Sequence, residues 1–85
     1  MNIEVYSTPY CPYCVQAKML LERKNLAFNE IDVSGNNELR LELVEKTRRT
    51  TVPQIFIDGQ SIGGFEELRE LDQSGELDRM VAASH

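Results

Sequence analysis

Ile3 and Val5 alternate with Asn2 and Glu4, and Tyr6 follows, a period of two that predicts a short strand. Ser7-Thr8-Pro9-Tyr10 breaks the alternation, and Pro12 fits the first turn of a helix, where its missing N–H costs nothing. The period then lengthens. Val15 and Met19, and Ala17 and Leu21, recur at i,i+4 as far as Lys24-Asn25, which predicts an amphipathic helix whose basic end suits its negative pole. Leu26 to Val33 predicts a second strand, although its alternation slips between Phe28 and Ile31. Strand, helix and strand in that order imply a parallel pair joined by a right-handed crossover.

Ser34-Gly35-Asn36-Asn37 supplies turn and cap chemistry, and Leu39, Leu43 and Val44 then mark a second helix to about Thr47. After Arg48-Arg49-Thr50-Thr51 and Val52-Pro53, the run Gln54-Ile55-Phe56-Ile57 predicts a strand buried on both faces, hence central. Asp58-Gly59 signals a hairpin into a short fourth strand from Gln60 to Ile62. Gly63-Gly64 opens a third helix carrying Leu68 and Leu71 and ending near Gly75. Leu77, Met80 and Val81 predict a last short helix before a frayed tail, Ala83-Ser84-His85. The pattern βαβαββα is a compact α/β sandwich with a four-stranded mixed sheet flanked by helices.

Composition narrows the function classes. With 85 residues the chain is one small domain, 1–85, with little stability to spare. Its 41% apolar and 27% charged residues are ordinary for a soluble globular protein. The net charge of -5 disfavours nucleic acid and anionic membranes as partners, since both are bound through excess Lys and Arg. Met1-Asn2-Ile3-Glu4-Val5 has no basic, apolar leader pattern, and no window approaches a membrane span. Two close-spaced cysteines in such a chain read as a redox or metal motif of a reducing compartment, so the expected location is cytoplasmic.

The chemistry concentrates at Cys11-Pro12-Tyr13-Cys14, the only cysteines in the chain. Three-residue spacing brings both sulfurs to one end and one face of a helix. The first lies at the positive end of the helix dipole, where a thiolate is favoured over a thiol. Cys11, ahead of Pro12, is expected to be the more exposed and to attack. Cys14, a turn inside, is expected to close the ring, which makes thiol–disulfide exchange the favoured chemistry. Two other readings stand beside it: a purely structural pair, although so short a loop restricts the unfolded chain little, and half of a zinc site that would need His85 from the tail.

Three further features flank this pair. Pro53 either merely starts a strand or, after a cis bond, turns the Val52 N–H and C=O outward. They would then form a short edge able to pair with an extended thiol peptide beside Cys11. Gly63-Gly64 is either a turn or a carboxylate cradle offering the N–H groups of Phe65 and Glu66. Glu66 and Glu67 would attract an ammonium group or simply complement the helix dipole. Arg48 and Arg49 would hold a carboxylate or stay solvated, and Tyr13 is expected along a groove wall. Tyr6, Phe28 and Phe56 read as core.

Taken together, Tyr6-Ser7-Thr8-Pro9-Tyr10-Cys11-Pro12-Tyr13-Cys14, Thr50-Thr51-Val52-Pro53-Gln54-Ile55-Phe56-Ile57-Asp58-Gly59 and Ile62-Gly63-Gly64 resemble a dithiol glutaredoxin of the short bacterial type. The resemblance implies a thioredoxin fold with Pro53 cis. It also implies glutathione-dependent reduction of protein disulfides and glutathione mixed disulfides, with glutathione as co-substrate and no tightly bound cofactor. Cys11 would be the nucleophile and Cys14 the resolving thiol. Glutathione would lie against Tyr13, Thr51, Val52 and Pro53, with its γ-glutamyl end at Gly64, Phe65, Glu66 and Glu67 and its glycyl carboxylate near Arg49 or Arg48. Disulfide-containing or glutathionylated proteins would be the partners of a monomer.

The chain departs from the family pattern at Thr8, where a Lys is frequent, at Phe65, where a small residue is usual, and at Glu66 and Glu67, where aspartates are usual. Two relatives of other function share part of the pattern. One is the glutaredoxin-like electron donor of ribonucleotide reductase, recharged by a flavoprotein reductase. The other is the iron–sulfur cluster carrier, which usually has a single active-site cysteine.

Overall fold

The computed structural model describes residues 1–83, so the Ser84-His85 end of the expected tail, and with it His85, lies outside the described residues. Eight elements follow in the order β1 (Ile3–Ser7), α1 (Pro12–Arg23), β2 (Asn29–Asp32), α2 (Asn37–Thr47), β3 (Gln54–Ile57), β4 (Gln60–Gly63), α3 (Phe65–Gln73) and α4 (Glu76–Ala83). The strands form one sheet in the order β2-β1-β3-β4. β1 and β2 are parallel, as a crossover through α1 requires, and β1–β3 and β3–β4 are antiparallel. This is the mixed sheet and thioredoxin fold that the resemblance implies, with α4 added at the end.

β3 is buried at all four positions, which its unbroken Ile-Phe-Ile run requires of an inner strand. Its two faces feed two cores. Ile55 and Ile57 join Ile3, Val5, Ala17, Leu20, Leu21, Leu68 and Leu77 on the face covered by α1, α3 and α4. Phe56 joins Val33 and Leu43 on the other face, with Tyr6 packed edge-on against it at 5.5 Å between ring centroids. At the hairpin, Asp58 and Gly59 both take positive φ (51° and 83°), the twist that a two-residue connection needs.

Two expectations are corrected. The second strand is shorter than Leu26 to Val33: only Asn29–Asp32 pair with β1. Asn25 turns the chain back with φ 57°, Leu26 and Phe28 then pack on the first core, and Ile31 and Val33 on the second. The slip in alternation marks this change of face. In α1, Val15 and Met19 face solvent at 45% and 54% exposure, while Cys14, Ala17, Leu20 and Leu21 form the buried stripe. The i,i+4 pairing of Ala17 and Leu21 was the informative one, and Cys14 belongs to it.

Candidate active site

The site is built where β1 hands over to α1, opposite the loop that enters β3. Cys11 is the N-cap of α1, with extended backbone angles (φ -104°, ψ 110°), and Pro12 follows in the first turn. Its sulfur accepts the amide N–H of Cys14 at 3.2 Å, so one of the unpaired donors of the helix end points at it. The Cys11 thiol in turn faces the carbonyl oxygen of Val52 at 3.5 Å. Negative charge developing on this sulfur meets an aimed amide and the positive helix pole.

Both cysteines are free, Cys11 half-buried and Cys14 completely buried. Burial pushes the Cys14 thiol up to about 12, and its contact with Cys11 adds to the rise; a Thr8 backbone hydrogen bond and the charge of Lys18 act in the other direction. The two sulfurs thus differ as the sequence predicts: one at the surface on a helix end, one sealed a turn inside.

The Val52–Pro53 bond is cis. The loop before it is pinned from below by Gln54, whose fully buried side-chain amide donates to the Thr51 carbonyl at 2.8 Å. Thr47 closes the end of α2 by donating to the Leu43 carbonyl at 2.7 Å and accepts the Arg49 N–H at 3.1 Å, which sets where Arg49 leaves the helix. On the far side, Gly63 (φ 104°) turns β4 into α3, and a Cβ there would run into the Glu67 side chain. Gly64 lets the start of α3 approach the Pro53 carbonyl, where an added Cβ would sit at 3.2 Å.

Tyr13, Arg49, Thr51, Val52, Pro53, Gly64, Phe65, Glu66 and Glu67 line one groove of about 260 Å³. Apart from Arg48, every residue expected to hold the ligand lies on it, from four separate stretches of chain. Tyr13 is 56% exposed and faces Phe65 across the groove at 6.4 Å between ring centroids. Arg48 is not on it. It ends α2 in a left-handed turn (φ 60°) with its N–H on the Val44 carbonyl, and only Arg49 reaches the groove.

The charges at the groove are arranged differently from the expectation. Glu67 and Arg49 form an ion pair with each other, and the same Glu67 oxygen accepts the Gly64 N–H at 3.0 Å. These contacts hold the Glu67 carboxyl below the ordinary glutamate range, the Gly64 hydrogen bond first and Arg49 second. Glu66 pairs with Arg69 at 2.9 Å. The longer reach of Glu at position 67 thus lets it fold back on the start of its own helix.

The family model for glutaredoxin matches residues 3–62. The chain is 48% identical over 80 residues to glutaredoxin 3 of Escherichia coli K12, covering 94% of this chain and 96% of that protein. The chain belongs to the glutaredoxin family. It is also 46% identical over 81 residues to a glutaredoxin of Pseudomonas aeruginosa, covering 95% and 96% of the two chains. Among solved structures, a buckwheat glutaredoxin–glutathione complex superposes with a TM-score of 0.88 at 28% identity, covering 95% of this chain and 76% of that one. The Brucella melitensis glutaredoxin superposes at 0.84 with 46% identity, covering 94% and 87%. As a glutaredoxin, the chain is a thiol–disulfide oxidoreductase, and Cys11 and Cys14 are its adjacent pair of thiols.

Sequence reasoning passed over a polar cluster behind Cys14. Lys18 stands one helical turn beyond it and pairs with Glu30 of β2 at 2.6 Å. Ser7, at the buried end of β1, donates to the same Glu30 oxygen at 2.9 Å. The i,i+4 spacing of Cys14 and Lys18 was visible in the chain; the Glu30 partner, on another strand, was not. Among the described residues no group of His, Cys, Asp and Glu is arranged to hold a metal ion.

Proposed function

We propose that this glutaredoxin is a glutathione-dependent oxidoreductase that reduces protein disulfides and glutathione mixed disulfides through Cys11 and Cys14, as a monomer in the cytoplasm. The observation that carries this reading is the groove beside Cys11: its walls come from one chain, and its ends carry the polar groups that an extended tripeptide with two carboxylates requires. Glutaredoxins use glutathione as a substrate, and the buckwheat relative is a complex with it. The Cys11 sulfur attacks the disulfide of the substrate, one sulfur leaves as a thiol after taking a proton, and a mixed disulfide remains on Cys11. When the substrate is a protein disulfide, the reduced protein is then released as the Cys14 sulfur attacks the Cys11 sulfur, displaces the second substrate sulfur, which takes a proton, and forms the Cys11–Cys14 bond. Two glutathione molecules reduce that bond and leave as glutathione disulfide.

Tyr13, Thr51, Val52 and Pro53 flank the bound cysteinyl residue in this reading. The N–H groups of Phe65 and Glu66, with Gly64 allowing the approach, receive the γ-glutamyl carboxylate, and Arg49 serves the glycyl carboxylate. The test is coupled turnover on a small glutathione mixed disulfide with reduced glutathione, its reductase and NADPH. Sustained NADPH consumption is the expected result. Efficient turnover with thioredoxin reductase and none with glutathione would overturn glutathione as the electron source.

The Arg49–Glu67 pair gives a second expectation. Glu67 already occupies the cation that a substrate carboxylate needs and places a like charge beside it. With side chains 48% and 33% exposed, such a pair is worth at most about 1 kcal/mol, or roughly a factor of five in binding. Glu67→Gln should lower KM for glutathione by about two- to fivefold with little change in kcat, read from initial rates across glutathione concentration. An unchanged or raised KM would show that Glu67 does not compete for Arg49.

A further inference from the structure

The resolving step has a difficulty that the attacking step does not. Cys14 is completely buried and its thiol titrates far above neutral pH, yet it must become a nucleophile. Three elements carry the groups that act on it and on its neighbouring cation. On α1 stand Cys11 and Lys18, the loop after β1 supplies the Thr8 backbone, and β2 supplies Glu30, bonded to Lys18. Among the described residues Lys18 is the cation that acts on it, and Glu30 is paired with that cation. Glu30 itself accepts a hydrogen bond from Ser7, which is buried, and among the described residues Asp32 and Glu22 also act on the pair.

The spacing fixes the geometry. Residues four apart on a helix share a face with Cβ atoms about 5–6 Å apart, so Lys18 lies over the turn that follows Cys14. Cys14 and Lys18 are therefore neighbours along one face, and Glu30 meets the ammonium from the adjacent strand. Each of the two charges has an opposite effect on a sulfur losing its proton: the ammonium favours the thiolate, and the carboxylate weakens the ammonium.

We propose that Lys18 is a positioning residue for the resolving step, supplying the positive charge that stabilises the Cys14 thiolate, and that Glu30 sets the strength of that charge by pairing with it. The step then balances without any further reactant. Cys14 gives its proton to water, its sulfur forms a bond to the Cys11 sulfur, and the bond between Cys11 and the substrate sulfur breaks. The departing thiolate takes up a proton, so the mixed disulfide is exchanged for the Cys11–Cys14 disulfide and one free thiol.

This rests on Cys14 being the resolving thiol, and the experiment separates the two claims. The enzyme carrying a mixed disulfide on Cys11 is followed by acid quench and mass measurement as the ring closes, from about pH 6 to pH 10. Lys18→Met should move the closure profile to higher pH by about half a unit, roughly threefold slower at pH 7. Glu30→Gln should move it the other way, Lys18→Arg should keep the wild-type profile, and the double variant should follow Lys18→Met. The opposite signs are the point, because a merely structural ion pair is broken by either substitution and would shift both profiles alike. Both side chains are partly exposed, at 25% and 43%, so the variants are expected to fold. Shifts of the same sign, or none, would overturn the proposal for Lys18. A wild-type enzyme that never closed the ring would overturn the resolving role of Cys14 itself.

Discussion

Cys11→Ser is expected to reduce turnover on a glutathione mixed disulfide to background, at least about a thousandfold, while Cys14→Ser keeps that activity within about threefold and loses reduction of protein disulfides. The split follows from where each sulfur sits. Cys11 is the reachable one, with an amide aimed at it and the groove alongside, and a hydroxyl in its place is a far weaker nucleophile and leaving group. Cys14 is sealed behind it and is needed only where the mixed disulfide must be broken from within. Coupled assays on both substrate types with purified variants measure this directly. Retained turnover in Cys11→Ser would mean that the chemistry lies elsewhere. Equal losses on both substrates in Cys14→Ser would remove the division of labour.

Leu68→Ala is expected to cost about 2–5 kcal/mol of folding stability, by loss of buried surface and by the cavity left behind. Leu68 is completely buried and is the one fully buried side chain of α3, packed into the core beneath the sheet. A chain of this size has roughly 5–10 kcal/mol in total, so the loss is a large share of it. Function should follow. The residues just before Leu68 are Phe65, Glu66 and Glu67, which form one wall of the groove. Loosening α3 should raise KM for glutathione, while the rate at which iodoacetamide alkylates Cys11 stays close to wild type. Urea unfolding with the two kinetic measurements checks it. A destabilised variant with unchanged KM would show that α3 holds the groove without Leu68.

How much of this was legible in the chain depends on distance along it. α1, its N-terminal proline and the attacking sulfur at its cap could be read directly, because a helix start is a local event set by a few neighbouring residues. The hairpin was equally local, since a two-residue connection between paired strands calls for positive φ and Asp58-Gly59 supplies it. The strand leading into α2 was misjudged at both ends. Its apolar residues serve two cores in turn, and only the sheet shows which of them pair with β1. Val15 and Met19 misled for a similar reason: helical spacing identifies a stripe but not which of two overlapping stripes faces inward.

The chain alone determined the chemistry, because two thiols three residues apart at a helix start favour disulfide exchange and the flanking motifs name the family that uses them so. The thioredoxin fold and the gathering of nine residues from four stretches onto one groove also followed from that resemblance. Charge pairing was decided only in three dimensions. Glu67 meets Arg49, and Lys18 meets Glu30, across separations of 18 and 12 residues, where no local periodicity operates. Coulomb interactions depend on the final distance between side chains, and that distance exists only once the sheet has brought its helices together.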